Sequence, residues 1–259
     1  MDHHTTWLNW LPGYSNLHAL LNKEYSNAVY FPFGSHHYET VHHIYAGAVV
    51  VLFLMLLSLW AWTKTRDVEA ALIPPRSFGI VAFFELMLDL IMGMMKGVIG
   101  EDYKRYVPMI GTLGLFILCS NLLGLVPGMA PPTDNLNTSA ACAIVVFVWF
   151  NFHGLRDQGI HHITHVLNPI GEWWGWFLTP LLGVIEVLGL FVRPVALALR
   201  LAGNMIGDHK VLFAFAGIFP FLLPLPFYAL GLMVCVIQAA VFCILSTVYI
   251  GLHTGDADH

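Results

Sequence analysis

Five long apolar runs, separated by more polar stretches, set the pattern of the chain. Ile44–Trp62 holds nineteen residues without a charge, close to the ~20 that a bilayer-spanning helix needs. Trp60 and Trp62 close it like an interfacial belt, and Lys64 and Arg66 follow. Val107–Gly128 is the next candidate span; it ends in LVPG, and Pro131 and Pro132 stop any helix beyond it. Thr138–Phe152 is a third, shorter run, so these two make a helical hairpin with its turn at 127–137. From Trp173 to Met205 the chain is apolar over a stretch too long for one perpendicular crossing, which predicts a long, tilted helix packed against protein. Three prolines within 219–226 separate it from the last helix, Phe227–Leu252.

Residues 77–99 follow a different pattern. Glu85, Asp89 and Lys96 interrupt the apolar run at spacings that place all three on one helical face. That predicts an amphipathic helix lying in the membrane surface rather than a span. The expected fold is an all-α polytopic membrane protein, with about five membrane helices, one amphipathic surface helix, and the last two helices long and tilted against a protein partner. The expected organisation is an N-terminal outside segment over 1–43, a membrane domain over 44–252 and a cytoplasmic tail over 253–259.

Composition agrees. Hydrophobic residues make up 58% and charged residues 10% of the 259 positions, against about 25% charged in soluble domains. Mean hydropathy is +0.71. The opening MDHHTTWLNW lacks the basic region of a signal peptide, so insertion is expected to rest on internal helices. Lys64, Arg66, Arg76, Lys96, Lys104, Arg105 and Arg156 fall on one side of the expected topology, with Lys23 on the other. By the positive-inside rule the N-terminus faces out and the C-terminus faces the cytoplasm.

Candidate chemistry is sparse. Cys119, Cys142, Cys235 and Cys243 sit in apolar runs without CxxC spacing and read as packing residues. His37, Glu39 and His42, and the cluster His161, His162 and His165, read as solvated surface rather than metal ligands. No P-loop, nucleotide fingerprint or catalytic triad is present, so neither a catalytic site nor a cofactor or metal is expected, nor nucleic acid as a partner.

One stretch stands apart: GVIEVLGLFVRPVALALRLAGNM, residues 183–205. Glu186, Arg193 and Arg200 recur every seven residues. A seven-residue repeat drifts only ~20° per heptad, so the three share a stripe about 21 Å long. Asn204 lies one turn beyond Arg200, and Ala196, Gly203 and Gly207 are small enough to admit another helix closely. Arginine stays charged, so Arg200 needs an anion or water. Glu186 is too far along the helix, and a carboxylate on another protein is the economical partner. Arg193, beside Pro194, is either a second functional charge or a snorkelling or ion-paired side chain.

RPVALALRLAGNM resembles the signature helix of the subunit a family of F-type ATP synthases, with its basic residue, Pro, and LxLRLxGN. SNLLGLVPG followed by PPTDNLNT resembles the family's hairpin and loop, with Asp134, Asn135, Asn137 and Thr138. IQAAVFCILSTVYI resembles its last helix and places Gln238 at the family's glutamine. The likeness covers roughly residues 40–252.

The resemblance implies a stator proton channel in a bacterial inner membrane. Two offset half-channels would serve the carboxylates of a rotating c-ring, held by peripheral-stalk b subunits and surrounded by lipid, coupling proton flow to ATP synthesis. Arg200 would be the stator arginine. Glu186 would line the cytoplasmic half-channel or serve as a core or interface acid. Asn204 and Gln238 would line water or make interhelical hydrogen bonds. In the outer half-channel some relatives pair an acid with a histidine. Here His209 takes the first place, beside Asp208, and Gly231 falls at the second. The partner of His209 is then Asp208, Asp134 or water. A free-standing transporter would show repeated halves, and none is visible. An intramembrane metalloenzyme needs a ligand set within the spans, where His209 stands alone, and a mere structural anchor leaves Arg200 unexplained.

Overall fold

The structure, a computed structural model, describes residues 42–66, 79–126, 128–158, 175–218 and 224–254, together with position 19. The described residues form six α-helices: α1 His42–Thr65, α2 Ile80–Ile99, α3 Val107–Gly124, α4 Leu136–Gln158, α5 Gly175–Ile218 and α6 Pro224–Thr254. Short 3-10 turns at Gly100–Arg105 and Pro132–Asp134 precede α3 and α4. Five stretches are long and apolar enough to cross a bilayer: His43–Thr63, Val107–Gly124, Leu136–Arg156, Val187–Leu212 and Leu225–Leu252. The chain is an all-α polytopic membrane protein. The N-terminal segment before His42, the histidines at 161, 162 and 165, and the tail beyond Thr254 lie outside the described residues.

Two boundaries differ from expectation. The span expected to run to Gly128 ends as a helix at Gly124. Pro127 disfavours helical backbone at the residue before it, and the chain reverses through Gly128, whose φ of 84° suits glycine. The short run expected at Thr138–Phe152 is a 23-residue helix, Leu136–Gln158. Asn135 caps its start, its Oδ1 accepting the Asn137 N–H at 2.9 Å. At the other end His153, expected in a polar connection, is buried inside the helix. It packs edge-on to Tyr106 with ring centroids 5.4 Å apart and lies over Trp149 at 4.7 Å. Its Nδ1 is 3.1 Å from the Trp149 carbonyl.

The chain divides into two compact units. The first comprises Met1–Ile73, Phe116–Thr138 and Asn204–Val236. In it Ala46 and Val50 of α1 are buried, and Asn135 Nδ2 lies 3.2 Å from His43 Nδ1. Thr133 Oγ1 donates to Asn121 Oδ1 at 2.7 Å, both residues fully buried. The aromatic rings of Phe215 and Phe227 stack at 4.3 Å, joining α5 to α6.

The second unit comprises Pro74–Leu115, Ser139–Gly203 and Ile237–His259. Here Glu85, Asp89 and Lys96 of α2 are all exposed, as their shared face requires. The other side of α2 packs on α3 and α6. Leu88 meets Gly111, Ile91 lies beside Gly114, and Val98 meets Gly251. All four cysteines are free thiols, three of them buried.

Among the described glycines of this unit, Gly114 is the most tightly enclosed. A Cβ there would fall 2.5 Å from Cys243 Sγ and 3.6 Å from Ile91 Cδ1. Gly114→Ala is therefore expected to destabilise the fold by about 1–3 kcal/mol, the usual cost of overpacking. Adding Cys243→Ala should recover most of the loss. Thermal unfolding in detergent checks both; a Gly114→Ala midpoint equal to wild type would show that the contact is not tight.

Candidate functional site

α5 carries most of the candidate residues. Leu197, Ala198, Leu201, Ala202 and Met205 form its buried face. Away from it, Leu188, Val192, Val195, Leu199 and Ile206 are exposed. Large apolar side chains left open this way suit lipid or a partner helix.

Arg200 is exposed on this helix and, among the described residues, has no hydrogen-bond or ion-pair partner. Asn204, one turn on, is exposed as well. Gly203 and Gly207 flank them, and a Cβ built on either glycine meets nothing within 4 Å. Their smallness is not used for packing within the described chain. It leaves a shallow track beside the arginine, wide enough for another helix to come close.

Arg193 does not share that situation. It is half-buried, with its guanidinium 5.7 Å from the Tyr249 ring centroid. A cation over an aromatic face is held by the ring quadrupole, so α6 engages this arginine within the chain. The heptad stripe of the sequence is thus divided by tertiary structure. Glu186 belongs to the helical backbone of α5, and its side chain lies outside the described residues. Gln238 of α6 is buried, at 4% exposure.

Asp208 and His209 are half-buried in the first unit and line one cavity of about 130 Å³. Leu125, Met205, Phe227, Leu230, Gly231 and Cys235 also line it. Nine residues at about 100° each put His209 half a turn round the helix from Arg200. His209 therefore faces inward, while Arg200 faces outward. Asp208 Oδ2 is buried without a hydrogen-bond partner among the described residues. The cavity is lined mostly by apolar side chains, and Asp208 and His209 are the polar groups that a water inside it would meet. Gly231 borders the same cavity, and a Cβ there would fall 2.9 Å from Leu125 Cδ2.

Asp134 sits apart, half-buried in the 3-10 turn between α3 and α4, and does not line the cavity. Burial pushes its carboxyl up to about 6, opposed by a hydrogen bond from the Asn135 backbone.

Sequence reasoning did not single out Asn121, Thr133, Tyr249 or Gly124. Ser120 Oγ and Asn121 Nδ2 are buried without a hydrogen-bond partner among the described residues. Polar residues inside an apolar run signal interhelical bonding, but nothing local indicates which helix responds. The described residues hold no group of three or more His, Cys, Asp or Glu arranged for a metal ion.

Five apolar spans, an exposed arginine within one of them and a cavity with His and Asp in its otherwise apolar wall define a polytopic membrane protein with charged side chains inside its spans. Over residues 44–251 the chain matches the family described as ATP synthase A chain. It is 43% identical over 207 residues to ATP synthase subunit a of Trichlorobacter lovleyi, covering 80% of this chain and 84% of that one. To ATP synthase subunit a of Geotalea daltonii it is 46% identical over 202 residues, covering 78% and 82%. To that of Sorangium cellulosum it is 36% identical over 263 aligned residues, covering all of both chains. The chain belongs to the ATP synthase A chain family, and its work is in ATP synthesis and proton transport within a membrane.

Proposed function

We propose that this chain is the stator proton channel of an F-type ATP synthase, facing a ring of c-subunits and braced by peripheral-stalk b subunits. Two offset half-channels deliver protons to the ring carboxylates and release them on the other side. The N-terminus faces outside and the C-terminus the cytoplasm of a bacterial inner membrane.

The roles follow from chemistry. Arg200 attracts each ring carboxyl in its ionised form and keeps the two half-channels from joining. Glu186 serves the cytoplasmic half-channel, with Arg193 as an accessory charge near it. Asn204 and Gln238 orient water near the arginine. His209, with Asp208 and water, carries protons on the outer side, and Asp134 collects them nearer the entrance.

One observation carries the reading. Arg200 is exposed on an apolar helix without a partner in the described chain, beside open space at Gly203 and Gly207. A permanent charge at that depth is costly unless another chain supplies an anion. Cysteines placed at Gly207 and Val211, on the Arg200 side of α5, should crosslink to the outer helix of the ring under mild oxidation. Cysteines at Leu201 and Ala202, buried within the chain, should not. Crosslinks confined to the buried pair would rule out this face.

A further inference from the structure

Gly124 is the last residue of α3, it is buried, and its φ is not in the left-handed region. Its backbone would therefore accept an alanine. The space around it would not. A Cβ on Gly124 would stand 2.6 Å from His209 Nε2, and 2.8 and 2.9 Å from two ring carbons of Pro131. Glycine is required here because an imidazole and a proline ring occupy the place of its side chain.

The same turn governs the far wall of the cavity. Leu125, the next residue, comes within 2.9 Å of where a Cβ on Gly231 would lie. The end of α3 thus admits the ring of His209 at one residue and covers Gly231 with the next.

We propose that Gly124 is a positioning residue of the proton relay, seating His209 Nε2 against the end of α3 so that the imidazole borders the cavity beside Asp208 and Gly231. The proposal rests on the reading that His209 carries protons. Alanine at 124 would have to drive the imidazole back by roughly 0.8 Å to restore ordinary contact at 3.4 Å, and Pro131 crowds the same methyl. Displacements on the order of 1 Å are enough to slow a reaction that depends on positioning by up to about a hundredfold. The titratable groups lining the cavity with His209 are Asp208 of α5 and Cys235 of α6. Leu125 and Pro131, from the end of α3 and the following loop, carry none.

The test uses the assembled synthase in vesicles. Proton-driven ATP synthesis is measured over a pH series for Gly124→Ala, His209→Ala and the double variant. Gly124→Ala is expected to be slower by on the order of tenfold and to alter the pH profile in the same sense as His209→Ala. The double variant should be no slower than His209→Ala alone. Normal turnover in Gly124→Ala, with His209→Ala impaired, overturns the proposal and leaves the relay reading standing. A wild-type rate and pH profile in His209→Ala removes the relay reading itself. If Pro131→Gly cures Gly124→Ala while His209→Ala leaves its defect in place, the glycine serves the loop and the proposal fails. Should Gly124→Ala prevent assembly, recovery of assembled complex on adding His209→Ala supports the seating role, and no recovery overturns it.

Discussion

Arg200→Ala is expected to abolish ATP-driven proton pumping in membrane vesicles. The side chain is exposed on an apolar helix and has no partner among the described residues. A ring carboxyl brought to about 4 Å of it, at an effective dielectric near 20, would gain about 4 kcal/mol in its ionised form. That corresponds to a carboxyl pKa lowered by up to about three units, before desolvation subtracts from it. On the proposed function, removing the charge would remove the bias toward proton release by each carboxyl on arrival. Lysine is not an adequate replacement, because its pKa falls on burial and it can lose its charge. Acidification of vesicles on adding ATP reads the effect directly. Near-normal pumping by a variant present at wild-type levels in the complex would sink the assignment of Arg200.

The second large effect is expected at His209. His209→Ala should slow proton-driven ATP synthesis by on the order of tenfold or more, as loss of a proton-transfer group does. It should also change the pH dependence of the rate, because it removes a titratable group from the cavity. Lys210, the next residue, is exposed and does not line the cavity. Lys210→Ala should leave both rate and pH profile close to wild type. A purely structural histidine would lower the amount of complex without moving the pH profile. Equal, pH-independent losses in the two variants would assign this end of α5 to lipid anchoring and take His209 out of the path.

The hairpin and the long helices were legible because transfer of apolar side chains into lipid is a local property. Each run of α1, α3, α5 and α6 carries enough of it to declare itself. α4 was read too short, since His153 and Arg156 look polar in sequence. The cage of Tyr106 and Trp149 around His153 comes from neighbours that the local pattern does not contain. The stripe of Glu186, Arg193 and Arg200 was sound as helical arithmetic. It left the role of Arg193 open and could not show that Tyr249, 56 positions along, meets that guanidinium.

Periodicity, charge placement and the LRLAGN run determined by themselves that this chain crosses a membrane on helices, and they set Arg200 apart as a permanent charge within an apolar run. Those statements depend on side chains within a few turns of one another, where helix geometry leaves little freedom. The separation of Arg193 from Arg200, the cavity shared by Asp208, His209 and Gly231, and the requirement for glycine at 124 were decided by tertiary structure. Each depends on which helix arrives opposite and on gaps of less than an ångström. Packing is set by the shapes of distant residues together, and no local pattern encodes a distance across a helix interface.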